Sequence, residues 1–79
     1  MITSKIERIC KRIGDNYNSA ESIENKLTYI SILNANLEFL VETGTIDRYD
    51  IKRDKYNNER IAEIVIYYNG SETVEIIID

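Results

Sequence analysis

No histidine and no proline occur among these 79 residues, and Cys10 is the single cysteine. Each absence closes off a class of chemistry. Without histidine an ordinary zinc site is excluded, and any nucleophile would need activation by lysine or a carboxylate. One cysteine excludes a disulfide within the chain and fits a reducing compartment. The three glycines are scattered, each placed as a helix stop or a turn, so no glycine-rich phosphate loop exists. No apolar run is long enough for a membrane span, and no signal peptide is expected. The missing proline bears on strand edges, which are commonly protected by proline or inward-facing charge.

The length suits a single domain, residues 1–79, with a thin core set against a conformational entropy cost on the order of 100 kcal/mol. Asp and Glu number 14 against 10 Lys and Arg, a formal net charge of -4. The charges are interspersed along the chain, which disfavours binding to a phosphate backbone and fits plain solubility. Hydrophobic residues at 43% with clear periodicity exclude disorder.

Ser4 followed by Glu7 has the spacing of a capping box and predicts a helix start. Ile6, Ile9, Cys10 and Ile13 then share one helical face, and Gly14 reads as the stop, with residues 15–18 (DNYN) as a loop. Ser19 with Glu21 and Glu24 reads as a second start. From there Ile23, Leu27, Ile30, Leu33, Leu37, Leu40 and Val41 form a long stripe, widened by Tyr29, Ile32 and Phe39. Such a width implies burial on more than one side. This helix is expected to run to about Thr43 and stop at Gly44.

Beyond Gly44 the period becomes two. Tyr49, Ile51 and Arg53 alternate with Asp50 and Lys52, while Ile46 has the wrong parity, so a bend or bulge is expected near Asp47 and Arg48. Residues 55–58 (KYNN) read as a turn, residues 61–68 as a second strand, and Asn69-Gly70 as a two-residue hairpin loop. Val74 to Ile78 returns as the last strand. A two-residue loop would set Val65 opposite Val74, Glu63 opposite Ile76, Ile61 opposite Ile78, Ile64 opposite Glu75 and Ile66 opposite Thr73. Neither face is then cleanly apolar, which leaves two alternatives: the last strand pairs at home, or it departs and pairs with another chain. The fold class expected is α+β: a short helix, a long helix, then a three-stranded, mainly antiparallel sheet packed on the long helix.

Catalytic machinery is hard to assemble from these residues, and no enzyme is expected. Cys10 lies on an apolar helix face, where a thiol behaves as a small hydrophobe with a raised pKa. Glu72, Glu75 and Asp79 lack the glycine-spaced loop of a calcium site and read as solvated charges. No metal or cofactor is expected. Tyr49, Tyr56, Tyr67 and Tyr68 gather in the strand half without a basic platform for bases, which points to core packing or a protein interface.

The stretch from Leu37 to Glu59 resembles the C-terminal domain of contractile-tail sheath proteins of bacteriophages and related injection machines. The likeness runs through Phe39, Leu40, Gly44, Ile46, Tyr49, Ile51, Asp54, Asn57 and Asn58, then the strand Ile61 to Tyr68 and the closing Glu75, Ile76 and Ile77. It covers about half of the chain. Three features depart from the family: Asn69 and Gly70 stand where prolines are usual, sheath proteins are several times longer, and the arginine-containing signature of short sheath initiators is absent. The resemblance implies a structural component of a contractile tail, located in the virion and, before assembly, in the cytoplasm of the bacterial host. Its partners would be other copies of itself or tail, sheath and tube proteins, joined by addition of strands between subunits and by helix packing.

On that reading Val74, Ile76, Ile77 and Ile78 pair with a neighbour, with Tyr67 and Tyr68 as anchors. Asp47, Arg48, Lys52 and Arg53 make polar contacts to a tube or neighbour, or else form a solvated face. Neither nucleic acid nor a membrane is an expected partner. The alternative from a different class is a small acidic phage inhibitor that binds and blocks a host defence protein or enzyme. Assembly at modest concentration separates the first reading from the second.

Overall fold

The computed structural model describes residues 4–78. Helix α1 spans Ser4–Ser19, α2 spans Ile23–Glu42, and the strands are β1 Arg48–Arg53, β2 Ile61–Tyr68 and β3 Glu72–Ile77. The sheet is antiparallel in the order β1-β2-β3, and the layout is α+β, two helices followed by the sheet they pack against.

Three features of the helices differ from expectation. First, α1 does not stop at Gly14 but continues through the DNYN segment to Ser19. Gly14 is buried because Ile78 lies against it: a Cβ at Gly14 would stand 2.8 Å from the Cδ1 of Ile78. The glycine marks a close approach of α1 to the sheet, so a signal that reads locally as a terminator has a tertiary cause. Second, the N-cap of α2 is Ser22 rather than Ser19, its hydroxyl accepting from the Asn25 amide at 3.1 Å. The end of α1 is closed in turn from α2, where the Lys26 ammonium donates to the Tyr17 carbonyl at 3.0 Å. Third, the wide stripe of α2 is not buried on several sides. Leu33 and Leu37 are fully buried, whereas Ile23, Leu27, Ile32 and Phe39 remain exposed.

The C-terminus of α2 follows the sequence signal. Gly44 has φ +76°, its amide donates to Val41 C=O at 3.1 Å, and the Thr45 amide donates to Leu40 C=O at 2.9 Å, the paired bonds of a Schellman motif. A bend over residues 45–47 then delivers Ile46 into the core before β1 begins.

The hairpin register is shifted by one residue from the expected one. Asn69 and Gly70 do take positive φ, +52° and +79°, but Ser71 is an additional loop residue and Tyr68 pairs with Glu72. Ile64 therefore faces Ile76 and Ile66 faces Val74. With Ile51 opposite Ile64 and Tyr49 opposite Ile66, two apolar rows cross all three strands: Ile51, Ile64, Ile76 and Tyr49, Ile66, Val74. A one-residue slip exchanges the two faces of a strand, so burial of these rows selects the register that local turn chemistry misses.

A bulge completes the inner face. Lys52 pairs with Glu63 but Arg53 pairs with Ile61, leaving Ala62 as an extra residue on β2. This reverses the parity beyond it and turns Ile61 inward, where it is fully buried. The Asn18 side-chain amide fastens the spot, donating to Ile61 C=O at 2.9 Å and accepting from Ile61 N–H at 2.8 Å. The core joins Cys10, Ile13 and Tyr17 of α1, Leu33 and Leu37 of α2, and Ile46, Ile61, Ile64, Ile66, Ile76 and Ile78. Each fully buried Leu or Ile contributes roughly 1.5–3 kcal/mol.

Candidate interaction surfaces

The last strand is not left incomplete by its own fold. β3 pairs with β2 along its length, and Ile78 N–H donates to Ala62 C=O at 2.9 Å. Ile76 and Ile78 are buried and Val74 is half-buried against the core, so these three side chains serve the chain's own interior. Ile77, on the other face, is 59% exposed.

What β3 leaves open is its outer edge. The Ile78 bond fixes the phase of the antiparallel ladder, so the backbone groups of Val74 and Ile76 point toward β2 and those of Thr73, Glu75 and Ile77 point away. No strand neighbours that edge among the described residues. The opposite edge, β1, is guarded by Arg48, Asp50, Lys52 and Arg53, four charges in six residues, while β3 carries Glu72 and Glu75 alone. Beside the β3 edge runs an open groove of about 280 Å³ formed by Glu7, Arg8 and Lys11 of α1 and by Glu75, Ile76 and Ile77.

The polar candidates all have partners within the chain. Asp47 accepts from the Gly70 amide at 2.8 Å, tying the hairpin tip to the start of β1. The Arg48 guanidinium lies 3.7 Å from the Tyr67 ring centroid and 3.6 Å from Asp50, whose carboxylate also accepts from the Tyr67 hydroxyl at 3.2 Å. Lys52 faces Glu63 across the strands at 3.9 Å. Arg53 donates to the Tyr17 hydroxyl and lies over its ring. Tyr67 and Tyr68 are half-buried, on opposite faces of β2.

Cys10 is buried and its thiol is pushed up to about 11 by desolvation, an unreactive position. The Tyr49 phenol is pushed up to about 12, by desolvation first and then by its hydrogen bond to the Glu38 carboxylate at 2.7 Å. No group of three ligating side chains that could hold a metal exists among the described residues, and Asp79 lies outside them. Among the described residues no helix is long and apolar enough to cross a membrane.

Two surface features escaped the sequence reading. Lys5, Arg8 and Arg12 gather on the outward face of α1, so charge that is dispersed along the chain is concentrated in space. Thr28, Ile32, Ala35 and Phe39 form an exposed row on α2, and their alternating spacing of four and three was the available signal. No protein-family model, curated protein or solved structure matches this chain.

Proposed function

We propose that this protein is a structural assembly subunit, without enzymatic activity, that joins a neighbouring copy by strand addition along the outer edge of β3. The observation that carries this reading is the row of backbone groups at Thr73, Glu75 and Ile77 that no strand pairs among the described residues, bordered by exposed Ile77 and by the groove against α1. An added strand gains main-chain hydrogen bonds from the row, and its alternate side chains enter the groove. Placement of the subunit in a contractile tail rests on the resemblance over Leu37 to Glu59.

The test is Glu75→Pro. Proline at this position removes a donor that points away from β2, so the β2–β3 ladder keeps its bonds while the edge loses one. Light scattering coupled to size-exclusion chromatography should show concentration-dependent assembly of the native chain and a folded monomer for the variant. A native chain that stays monomeric up to about 1 mM, or a variant that assembles equally well, overturns the reading. A persistent monomer would favour an inhibitor acting on one target.

A further inference from the structure

The second apolar row of α2 has a definite geometry. Leu33, Leu37 and Leu40 point to the core, while Thr28, Ile32, Ala35 and Phe39 repeat at four, three and four residues along an exposed seam; Phe39 is 61% and Ile32 43% exposed. A parallel seam on α1, Lys5, Ile9, Arg12 and Asn16, has the same spacing and is also exposed. The α1–α2 cleft between them opens into a mainly apolar groove of about 220 Å³, lined by Ile6, Ile9, Cys10, Leu37, Phe39 and Leu40 with Asn36 as its polar member. Two helices that each present such a seam along a shared groove form the seat for a third helix.

Charge identifies the occupant. On α2 the row through Thr28 and Ala35 is flanked by exposed Glu24 and Glu42, whereas the α1 rim carries Lys5, Arg8 and Arg12 around Ile9 with no acid among them. An acidic flank complements that cationic rim. Exposed Ile9, Ile32 and Phe39 beside the groove do not suit a phosphate backbone. We propose that this groove docks an amphipathic helix of a partner protein, its apolar stripe set on Ile9, Ile32 and Phe39 and a row of Asp or Glu on the flank facing Lys5 and Arg12. This surface is separate from the β3 edge, and the inference does not depend on strand addition.

The probe is a synthetic, stapled helix of about 18 residues with leucine at the heptad core positions and glutamate along one flank. Its control has lysine in place of every glutamate. Fluorescence anisotropy is read on the full chain, and amide shifts at Ile9, Ile32 and Phe39 locate the site. The acidic helix should bind at least about tenfold more tightly than the lysine helix, by an amount that shrinks with salt. Phe39→Ser should weaken it about tenfold. The pair Lys5→Glu and Arg12→Glu should reverse the preference in favour of the lysine helix. All three side chains are exposed, so melting curves should show the fold retained.

Equal binding of the two helices, indifference to these substitutions, or no binding up to about 1 mM overturns the proposal. So does a dimer of the native chain that Phe39→Ser abolishes, which would assign the groove to a second copy.

Discussion

Gly14 and Ile78 are locked by shape: a Cβ on the glycine would lie 2.8 Å from Cδ1 and 3.1 Å from both Cγ atoms of the isoleucine. Two effects oppose each other when Gly14 becomes alanine. Helix propensity gains about 1 kcal/mol, while overpacking costs about 1–3 kcal/mol. Gly14→Ala should therefore be destabilising by about 1 kcal/mol, and Gly14→Val by more. With Ile78→Ala in the background, Gly14→Ala should become neutral or stabilising. A double-mutant cycle in urea measures this coupling, and additive effects would contradict the contact.

Deleting Ser71 imposes the two-residue loop that Asn69-Gly70 favours locally. Glu72 then follows Gly70 directly and still pairs with Tyr68, so Ile76 stays opposite Ile64, Val74 stays opposite Ile66 and the apolar rows are kept. The deletion should leave the chain folded, with unchanged near-ultraviolet circular dichroism and only a small shift in urea midpoint, because a two-residue Asn-Gly loop is itself a favoured hairpin connection. A deletion variant that unfolds would contradict the three-residue loop and the pairing of Tyr68 with Glu72.

The two hydrogen bonds between Asn18 and the Ile61 backbone cross 43 residues of sequence beside the Ala62 bulge. Asn18→Ala leaves both groups of Ile61 without those partners and should cost about 2–3 kcal/mol. Asn18→Asp keeps the acceptor but sets a carboxylate against the Ile61 carbonyl, so it should not rescue. Amide exchange at Ile61 provides a local check, and protection equal to that of the native chain in the alanine variant would refute the role.

Alkaline pH should destabilise the fold through Cys10 and Tyr49. Both acids have folded pKa values raised above their ordinary ones, from 9.0 to about 11 and from 10.0 to about 12. The unfolded chain loses these protons first and so binds fewer of them, which makes stability fall as pH rises. The fall begins near pH 9 with the thiol and continues above pH 10 with the phenol. Cys10→Ala should flatten the first part of a plot of urea midpoint against pH, and an unchanged slope would contradict the buried thiol. The native thiol should also resist aromatic disulfide reagents at pH 8 until the chain is unfolded.

Much of the fold is legible locally because short-range periodicity and turn chemistry need no distant partner. The stripe at Leu33, Leu37 and Leu40, the stop at Gly44 and the alternation through Ile64, Ile66 and Tyr68 sufficed for two helices and three antiparallel strands. Positive φ at Asn69 and Gly70 was legible for the same reason.

Tertiary packing decided what depends on residues far apart. Gly14 continues a helix because Ile78 arrives beside it, Ser71 joins the loop because Ile76 and Val74 must meet Ile64 and Ile66, and Ala62 bulges so that Ile61 can face inward. The exposed surfaces were decided in the same way. Only the folded chain shows that Ile23, Leu27, Ile32 and Phe39 of the α2 stripe lack a cover, that the cations of α1 stand along its rim, and that the last strand completes its own sheet while leaving one edge free. The sequence specifies which side chains are apolar, but with a core this thin only packing determines which of them are covered.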